Sequence, residues 1–377
     1  PADVQATRVP LPSLRVWRSQ PPLAVPELPE MGNHQENSRR AGRIALSPLV
    51  FVALAGILSF VLTGVATWYA GKRNLLDHPG ERHSHTRATP RGGGAGLIAA
   101  WLLISFLFFP TELPAWWLGC IFPGALVLAV MGGRDDHASL SVRLRLFVQL
   151  AVSVYLVWCA VSAGWMHGVV WMIGSALFVM WLVNLFNFMD GSNGMAGLQG
   201  IFGSLVLGVL FYQAGDSAFA WLAFSLGACC AGFLPWNLGR ARVFMGDVGS
   251  LSLGFVFAAM LLYGAGTGAF SIPVALMVML LFLTDASLTL LRRVIRGEQW
   301  YNAHRQHLYQ RMIVHGLTHG RVATVYQAIN LILILPGIVI AARFPALAWA
   351  VALALTLILI LGWHLLLNRY EEPAEAG

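Results

Sequence analysis

Long apolar segments alternate with short polar ones along the chain after residue 48. Most of these segments are long enough to cross a bilayer core of about 30 Å as a helix. Each apolar run is continuous, whereas the strands of a membrane β-barrel would alternate apolar and polar residues. The pattern predicts an all-α, polytopic integral membrane protein with about eleven transmembrane helices, at 49–70, 95–110, 116–131, 146–163, 168–186, 197–214, 218–236, 249–264, 270–290, 322–342 and 346–367.

The composition excludes a soluble protein. Hydrophobic residues make up 57% of the 377 residues and charged residues 11%, against roughly 25% charged in a typical soluble domain. The formal net charge of +7 would favour nucleic-acid binding in a soluble chain. Here the basic residues lie between apolar segments, so we expect them to set membrane topology, with the lipid bilayer and no nucleic acid as partner.

The distribution of basic residues predicts the orientation. The gaps after the first, third, fifth, seventh and ninth segments contain 16 of the 24 Arg and Lys residues, whereas the other gaps contain only Arg343. By the positive-inside rule the first set of gaps faces the cytoplasm. Three arginines just before the first segment, Arg39, Arg40 and Arg43, oppose this orientation but are outnumbered.

Three regions are predicted along the chain. Residues 1–48 are rich in Pro, Arg and Gln and lack a long apolar run, so we expect a disordered N-terminal extension, with 1–30 arising from an upstream start. Residues 49–367 form the transmembrane domain. Residues 368–377 form a cytoplasmic tail.

Carboxylates collect on the predicted cytoplasmic face. Of the ten acidic residues between the first segment and the tail, eight lie in or beside cytoplasmic gaps: Asp77, Glu81, Asp135, Asp136, Asp190, Asp247, Asp285 and Glu298. Solvated loop charges are the simpler interpretation. However, several of these carboxylates stand beside Gly and Asn in tight loops at the membrane edge, where a carboxylate needs a partner, water or a metal.

Individual loops suggest phosphate and metal binding. The first cytoplasmic gap holds Arg87, Arg91 and the Gly92–Gly94 triplet, which could present backbone N–H groups to an anion or serve only as a basic topology loop. Adjacent Asp135 and Asp136 repel and usually need a cation or a shared proton. Together the loops predict a cytoplasmic active site that handles a phosphorylated substrate with a divalent metal.

Two further loops add candidates. Asp190 has no Arg or Lys in its gap, and Asp247 begins the eighth segment beside glycines. Both suit Mg²⁺, which takes few protein ligands and keeps several waters; a helix N-cap is the alternative for Asp247. His304 and His307 would share one face if their loop is helical.

The cytoplasmic loops contain five ordered motifs: Asp77-His-Pro with Thr89-Pro-Arg-Gly-Gly, Asp135-Asp136, Asn187-Phe-Met-Asp-Gly, Val243-Phe-Met-Gly-Asp-Val-Gly-Ser, and Ala303-His-Arg-Gln-His-Leu-Tyr-Gln-Arg. These motifs resemble those of the polyprenyl-phosphate N-acetylhexosamine-1-phosphate transferases (glycosyltransferase family 4 and the phospho-MurNAc-pentapeptide translocases), and the resemblance covers about residues 49–367. The last motif is most similar to the O-antigen-initiating branch.

The resemblance implies a reaction in the bacterial inner membrane. A UDP-N-acetylhexosamine would give its sugar 1-phosphate to undecaprenyl phosphate, releasing UMP on the cytoplasmic face and starting a cell-surface polysaccharide such as O-antigen. Mg²⁺ is the expected cofactor, with Mn²⁺ as the alternative. The resemblance leaves open whether the protein forms a homodimer.

The resemblance also implies roles for residues. Asp247 and Asp190 would bind metal, and the catalytic group would comprise Asp135, Asp136, His304 and His307. The substrate-binding residues would be Asn187, Asp190, Asn193, Asn237, Phe244, Arg305, Arg87 and Arg91. Many relatives carry Asp at position 193, and the neutral Asn193 makes metal ligation there doubtful.

Two other classes of protein fit parts of the pattern. An intramembrane aspartyl protease would use Asp190 and Asp247 as a dyad, but these lie at the membrane edge and the sequence reads Phe244-Met-Gly-Asp247 rather than Gly-x-Gly-Asp. A transporter would place polar groups near the bilayer midplane, where these segments carry almost no charge.

The orientation predicts which loops an impermeant reagent reaches. Single cysteines placed at positions 112 and 216 should react with an impermeant maleimide added to intact cells, whereas cysteines at 85 and 137 should react only after permeabilisation. Labelling of position 137 in intact cells would reverse the orientation.

Overall fold

The computed structural model describes residues 47–77, 88–108, 115–299 and 304–370, and these are almost entirely helical. The first helices are α1 Pro48–Lys72, α2 Gly94–Phe108, α3 Ala115–His137, α4 Val142–Ser162, α5 Val169–Met189, α6 Met195–Gln213 and α7 Ser217–Asn237. They are followed by α8 Gly246–Gly266, α9 Ile272–Val278, α10 Leu280–Ile295, α11 Leu308–Val314, α12 His319–Ile329, α13 Leu335–Arg343 and α14 Ala348–Arg369.

Three short elements complete the described chain. Strands β1 (Leu76–Asp77) and β2 (Thr89–Pro90) pair antiparallel. A π-helical turn, Asn330–Ile334, joins α12 to α13, so that His319–Arg343 forms one span. A 3₁₀ turn, Pro345–Leu347, precedes α14.

The all-α, membrane-spanning architecture is confirmed. In the described ranges nine helical segments are long and apolar enough to cross a bilayer, and α9 with α10 makes a tenth if the bent pair is one span. The predicted segment 95–110 corresponds to α2, which is apolar but shorter. Every predicted segment therefore falls on a helix or a run of helices, although eleven unbroken full-length spans are not present in the described chain.

The predicted segment 270–290 is broken rather than continuous. α9 and α10 meet at an angle of 76°. A backbone carbonyl freed at such a break needs a donor in an apolar setting. The buried side chain of Gln199 supplies it, because its Nε2 lies 3.1 Å from the Val278 carbonyl oxygen.

Helix α8 lies at the centre of the bundle. In the most apolar 18-residue stretch of α8, 89% of the residues are buried, against 17% in that of α1. α3 and α5 both lie along α8, while α1, α2 and α6 contact α7. Close approach depends on small residues, as is common between membrane helices. A Cβ on Gly132 of α3 would lie 2.4 Å from the Asp247 carbonyl carbon, so only glycine lets α3 meet the start of α8.

A disulfide fastens the α3–α4 hairpin at the end opposite to its connecting loop. It joins Cys120, near the start of α3, to Cys159, near the end of α4. Under the predicted orientation this end faces outward, where disulfides persist.

The predicted terminal regions fall largely beyond the described ranges. Residues 1–46 and 371–377 lie outside them, so the N-terminal extension and most of the tail stay predictions. α1 begins at Pro48 and α14 ends at Arg369, close to the predicted limits of the transmembrane domain.

Two adjacent glycines give a matched test of the α3–α8 contact. Gly132→Ala should lower the thermal unfolding midpoint in detergent, because overpacking a close contact costs about 1–3 kcal/mol. Gly133→Ala should leave the midpoint unchanged or raise it slightly, since nothing lies within 4 Å of its added Cβ and alanine favours a helix. Equal midpoints for the two variants would contradict the close contact.

Candidate active site

The start of α8 is held by a carboxylate from α3. The backbone N–H of Asp247 donates to Asp136 Oδ1 at 3.1 Å and that of Val248 to Asp136 Oδ2 at 3.3 Å. The first N–H groups of a helix have no partner within the helix, so Asp136 acts as a cap supplied from another helix. Gly246 enters this turn with φ +74°, a conformation that favours glycine.

This arrangement decides the alternative for Asp247. The Asp247 side chain forms no cap of its own helix, and Asp136 already satisfies the Asp247 and Val248 N–H groups. The Asp247 carboxylate instead lines a cavity. The N-cap interpretation of Asp247 is therefore wrong, and its carboxylate faces the site.

Two arginines bracket the carboxylates. Arg91 Nη2 lies 2.9 Å from Asp136 Oδ1 and 3.7 Å from Asp247 Oδ1. Arg145 Nη1 lies 2.9 Å from Asp135 Oδ2 and 3.8 Å from Asp247 Oδ2. Arg91 was a predicted substrate-binding residue, whereas Arg145 was not selected. The sequence signal that could have indicated Arg145 is its position in the first turn of α4, just after the loop that follows Asp135.

Asparagine and aspartate at the end of α5 complete the acidic cluster. Asn187 Nδ2 donates to Asp247 Oδ1 at 2.8 Å and to Ser250 Oγ at 3.2 Å. Burial raises the pKa of Asp190 well above its usual range, and the negative charges of Asp247 and Asp136 raise it further. The Asp190 carboxylate therefore lies where a cation would strongly favour its ionised form.

The charges of this cluster do not balance among the described residues. Four carboxylates, those of Asp135, Asp136, Asp190 and Asp247, meet two guanidiniums, those of Arg91 and Arg145. The formal excess of two negative charges equals the charge of one divalent cation. In the described ranges no group of three or more His, Cys, Asp or Glu is arranged to hold a metal. Asp190 and Asp247 line one cavity, and two carboxylates fit Mg²⁺, which usually takes one or two protein carboxylates and keeps several waters.

Two cavities meet at this cluster. The first, of about 220 Å³, is called the polar cavity and is lined by Asp77, Arg91, Asn187, Asp190, Gly191, Ser192, Asn193, Phe244, Gly246, Asp247, Arg305, Gln310 and Val314. The second, of about 650 Å³, is called the apolar cavity and is lined by Val142, Arg145, Leu146, Gln149, Leu177, Met180, Trp181, Asn184, Asn187, Phe188, Gly191, Asp247, Leu251, Leu290, His304, His307, Tyr309 and Gln310. The lining residues common to both are Asn187, Gly191, Asp247 and Gln310.

The two predicted histidines line the apolar cavity. Residues 304–306 are not helical and α11 begins only at Leu308, so the condition for a shared helix face is not met. Their rings still lie 4.9 Å apart, because the extended His307 turns the chain into α11. Burial lowers the pKa of His307, and burial with the neighbouring His307, Arg293 and Arg311 lowers that of His304 to about 3. Both rings are therefore neutral near pH 7.

Asn237 is not among the residues that line the polar or the apolar cavity. Its Oδ1 accepts from Gly194 N–H at 2.7 Å and its Nδ2 donates to the Val243 carbonyl at 3.0 Å. With one N–H and one lone pair of its buried amide used in this way, Asn237 joins two loops. The predicted substrate contact of Asn237 stays a prediction.

Asn193 has a contact that the more usual Asp could not make. Its Nδ2 donates to the Gly239 carbonyl at 2.8 Å, and a carboxylate has no N–H to donate. The side chain still lines the polar cavity.

The Gly92–Gly94 triplet does not form the anticipated anion cradle. The N–H groups of Gly93 and Gly94 donate to the carbonyls of Phe244 and Met245, both at 2.9 Å. These bonds fix the turn before α8. Of the other predicted residues, Phe244 and Arg305 line the polar cavity, and Arg87 lies outside the described residues.

A known protein family matches the part of the chain that contains the acidic cluster. Residues 118–265, which include all four clustered aspartates, match the model of glycosyl transferase family 4. The match supports, over this part of the chain, the resemblance to glycosyltransferase family 4 that the motifs indicate. This similarity disfavours the transporter and aspartyl-protease alternatives.

Relatives from several bacteria extend the match. The undecaprenyl-phosphate alpha-N-acetylglucosaminyl 1-phosphate transferase of Yersinia pestis is 29% identical, over 85% of this chain and 91% of the relative. The decaprenyl-phosphate N-acetylglucosaminephosphotransferase of Mycobacterium tuberculosis is 27% identical, over 76% and 81%. The undecaprenyl-phosphate alpha-N-acetylglucosaminyl 1-phosphate transferase of Thermotoga maritima is 34% identical, over 52% and 60%.

The capping role of Asp136 predicts a stability effect. Asp136→Ala should destabilise the protein by about 1–3 kcal/mol, the usual result of leaving buried donors unsatisfied, and Asp136→Asn should fall between Ala and wild type because it keeps one acceptor oxygen. Thermal unfolding in detergent measures the effect. His137→Ala, at the exposed next position, is the control, and an Asp136→Ala midpoint equal to that of the control would refute the cap.

Proposed function

We propose that the protein transfers N-acetylglucosamine 1-phosphate from UDP-N-acetylglucosamine to undecaprenyl phosphate. A phosphate oxygen of the lipid attacks the phosphorus attached to the sugar, a new pyrophosphate bond forms, and the bond to UMP breaks. The observation that carries the proposal is the placement of Asp247 at the junction of the polar and apolar cavities. The three relatives are all named as transferases of N-acetylglucosamine 1-phosphate to a polyprenyl phosphate, which supports the substrate class.

The apolar cavity suits the lipid acceptor. Its walls are mainly aliphatic and aromatic, and Arg145 is the arginine that lines it. An isoprenoid chain can remain among the apolar side chains while its phosphate reaches the Arg145 guanidinium, which presents planar N–H donors to phosphate. The neutral imidazoles of His304 and His307 can accept or donate one hydrogen bond there without adding charge.

The polar cavity suits the nucleotide sugar. Arg91 and Arg305 bring positive charge to a pyrophosphate, and Asn187 and Asn193 bring amides that can hydrogen-bond. Phe244 offers an aromatic surface on which a base can stack.

The acidic cluster suits Mg²⁺, with Mn²⁺ as the alternative. Asp247 and Asp190 are the residues proposed to hold the ion, and its role when bound is to offset the charge of the substrate phosphates. Asp136 has both oxygens engaged in the α8 cap. Asp135 is engaged in a similar way, since its Oδ1 accepts from Leu140 N–H at 2.6 Å and its Oδ2 from Arg145 Nη1 at 2.9 Å, and neither aspartate lines the polar or the apolar cavity. We therefore assign the contact with the lipid phosphate to Arg145, and positioning roles to Asp135 and Asp136.

The cellular setting is proposed from the same considerations. A UDP-sugar is cytosolic and a polyprenyl phosphate is confined to the membrane, so the site would face the cytoplasm from the bacterial inner membrane. The final motif supports initiation of a cell-surface polysaccharide such as O-antigen. A homodimer stays a prediction.

Substitution of Asp247 tests the proposal. Asp247→Asn should lower UMP release from UDP-N-acetylglucosamine by at least about 10²-fold at any practical Mg²⁺ concentration, because a neutral amide cannot offset the ion's charge. The assay measures UMP released by the purified protein with and without undecaprenyl phosphate, and then with other UDP-N-acetylhexosamines.

The matched control is Asp216→Asn, the same chemical change on the opposite face. Asp216 accepts from Phe219 N–H and Tyr263 Oη–H, and asparagine can fill an N-cap equally well, so this variant should keep most of the activity. Substantial Mg²⁺-dependent release by Asp247→Asn would remove Asp247 from the metal site. Release by wild type that ignores the lipid phosphate would refute the reaction itself.

A further inference from the structure

A buried carboxylate away from the acidic cluster gathers five hydrogen-bond donors. Asp285 lies in α10 and is 2% exposed. Its donors are Leu308 N–H at 2.8 Å, Tyr309 N–H at 3.5 Å, Tyr326 Oη–H at 2.7 Å, Trp363 Nε1–H at 3.2 Å and Thr289 Oγ1–H at 3.3 Å.

Neutral hydrogen-bond donors, rather than a cation, stabilise the buried carboxylate of Asp285. Among the described residues no Arg or Lys forms an ion pair with it. A buried carboxylate is strongly destabilising unless its lone pairs are hydrogen-bonded, and one carboxylate offers about four acceptor sites. Its five donors come from α10, α11, α12 and α14, so this single side chain fixes the mutual position of four helices.

Two of the five donors belong to the backbone at the start of α11. These are the N–H groups of Leu308 and Tyr309, which a helix leaves without internal partners. The residue immediately before them is His307, whose ring lines the apolar cavity. Tyr309 also donates its hydroxyl to the Phe188 carbonyl at 2.8 Å, two residues before Asp190. The start of α11 is thus fixed on one side to Asp285 and on the other to the end of α5.

We propose that Asp285 is a positioning residue for the reaction, which sets His304 and His307 in the wall of the apolar cavity by holding the first turn of α11. The inference rests on the proposed function, since it concerns the same transfer. Asp285 itself lines neither cavity. Its effect on turnover should therefore pass through the histidine loop, and the bonds to Tyr326 and Trp363 should matter for stability alone.

The main test separates the two sets of donors. Asp285→Asn should lower kcat at least tenfold with less than a threefold change in the KM for UDP-N-acetylglucosamine, because one acceptor is replaced by an N–H that faces donors. Tyr326→Phe and Trp363→Phe each remove one donor from the same carboxylate and leave the α11 backbone bonds in place. They should keep at least half of kcat even where the unfolding midpoint falls.

A backbone variant tests the same idea if Asp285→Asn fails to fold. Leu308 is the first residue of α11 and His307 before it is extended, with φ −60° and ψ 146°; proline is tolerated at that helix position and after that conformation. Leu308→Pro and Leu308→Ala both remove the leucine side chain. Leu308→Pro also removes the backbone N–H that donates to Asp285. Leu308→Pro should lower kcat at least fivefold relative to Leu308→Ala.

The outcomes distinguish this inference from the proposed function. Wild type without lipid-dependent UMP release would refute the function and with it this inference. An active wild type together with normal kcat in Asp285→Asn, or equal kcat in Leu308→Pro and Leu308→Ala, would refute positioning by Asp285 alone. A kcat that falls in proportion to the unfolding midpoint across all variants would reduce Asp285 to a structural residue.

Discussion

The site depends on the contact between the Asp136 carboxylate and the first N–H groups of α8. Through this contact the last turn of α3 meets the start of α8. Because Asp136 accepts from the Asp247 and Val248 N–H groups, the Asp247 carboxylate is not needed as a helix cap and faces the cavities instead. Gly132 permits the approach, and Arg91 forms an ion pair with Asp136. Without the cap, the central helix would begin with unsatisfied N–H donors, and Asp247 would no longer be held in place at the junction of the two cavities.

Hydropathy was sufficient to predict the fold but could not locate the bend between α9 and α10. Each apolar segment corresponds to helix because a bilayer admits only segments that satisfy their own backbone. The bend depends on Gln199, a residue about 80 positions away that bonds the Val278 carbonyl. An apolar run of suitable length gives no sign of such a distant donor.

The candidate site was predictable at the level of loops and less so at the level of individual roles. Asp247, Asn187 and Asp190 meet as their motifs implied. Asp136 was not recognisable as a cap, since the helix it serves is 110 residues further along the chain. Asp285 resembled one more charge at a segment edge, because its partners at Leu308 and Trp363 come from elements that only the folded chain brings together.

The α3–α4 hairpin is fastened at both of its ends. The Cys120–Cys159 disulfide closes one end, and the Asp135–Arg145 ion pair closes the other. α3 also packs against the central helix, so these two ties connect α4, which forms one wall of the apolar cavity, to the core of the bundle. The opposite wall contains Leu290 of the bent helix α10 and His304 of the non-helical segment, and hydrogen bonds around Asp285 hold its helices together. The apolar cavity therefore lies between a covalently cross-linked wall and one that noncovalent contacts hold.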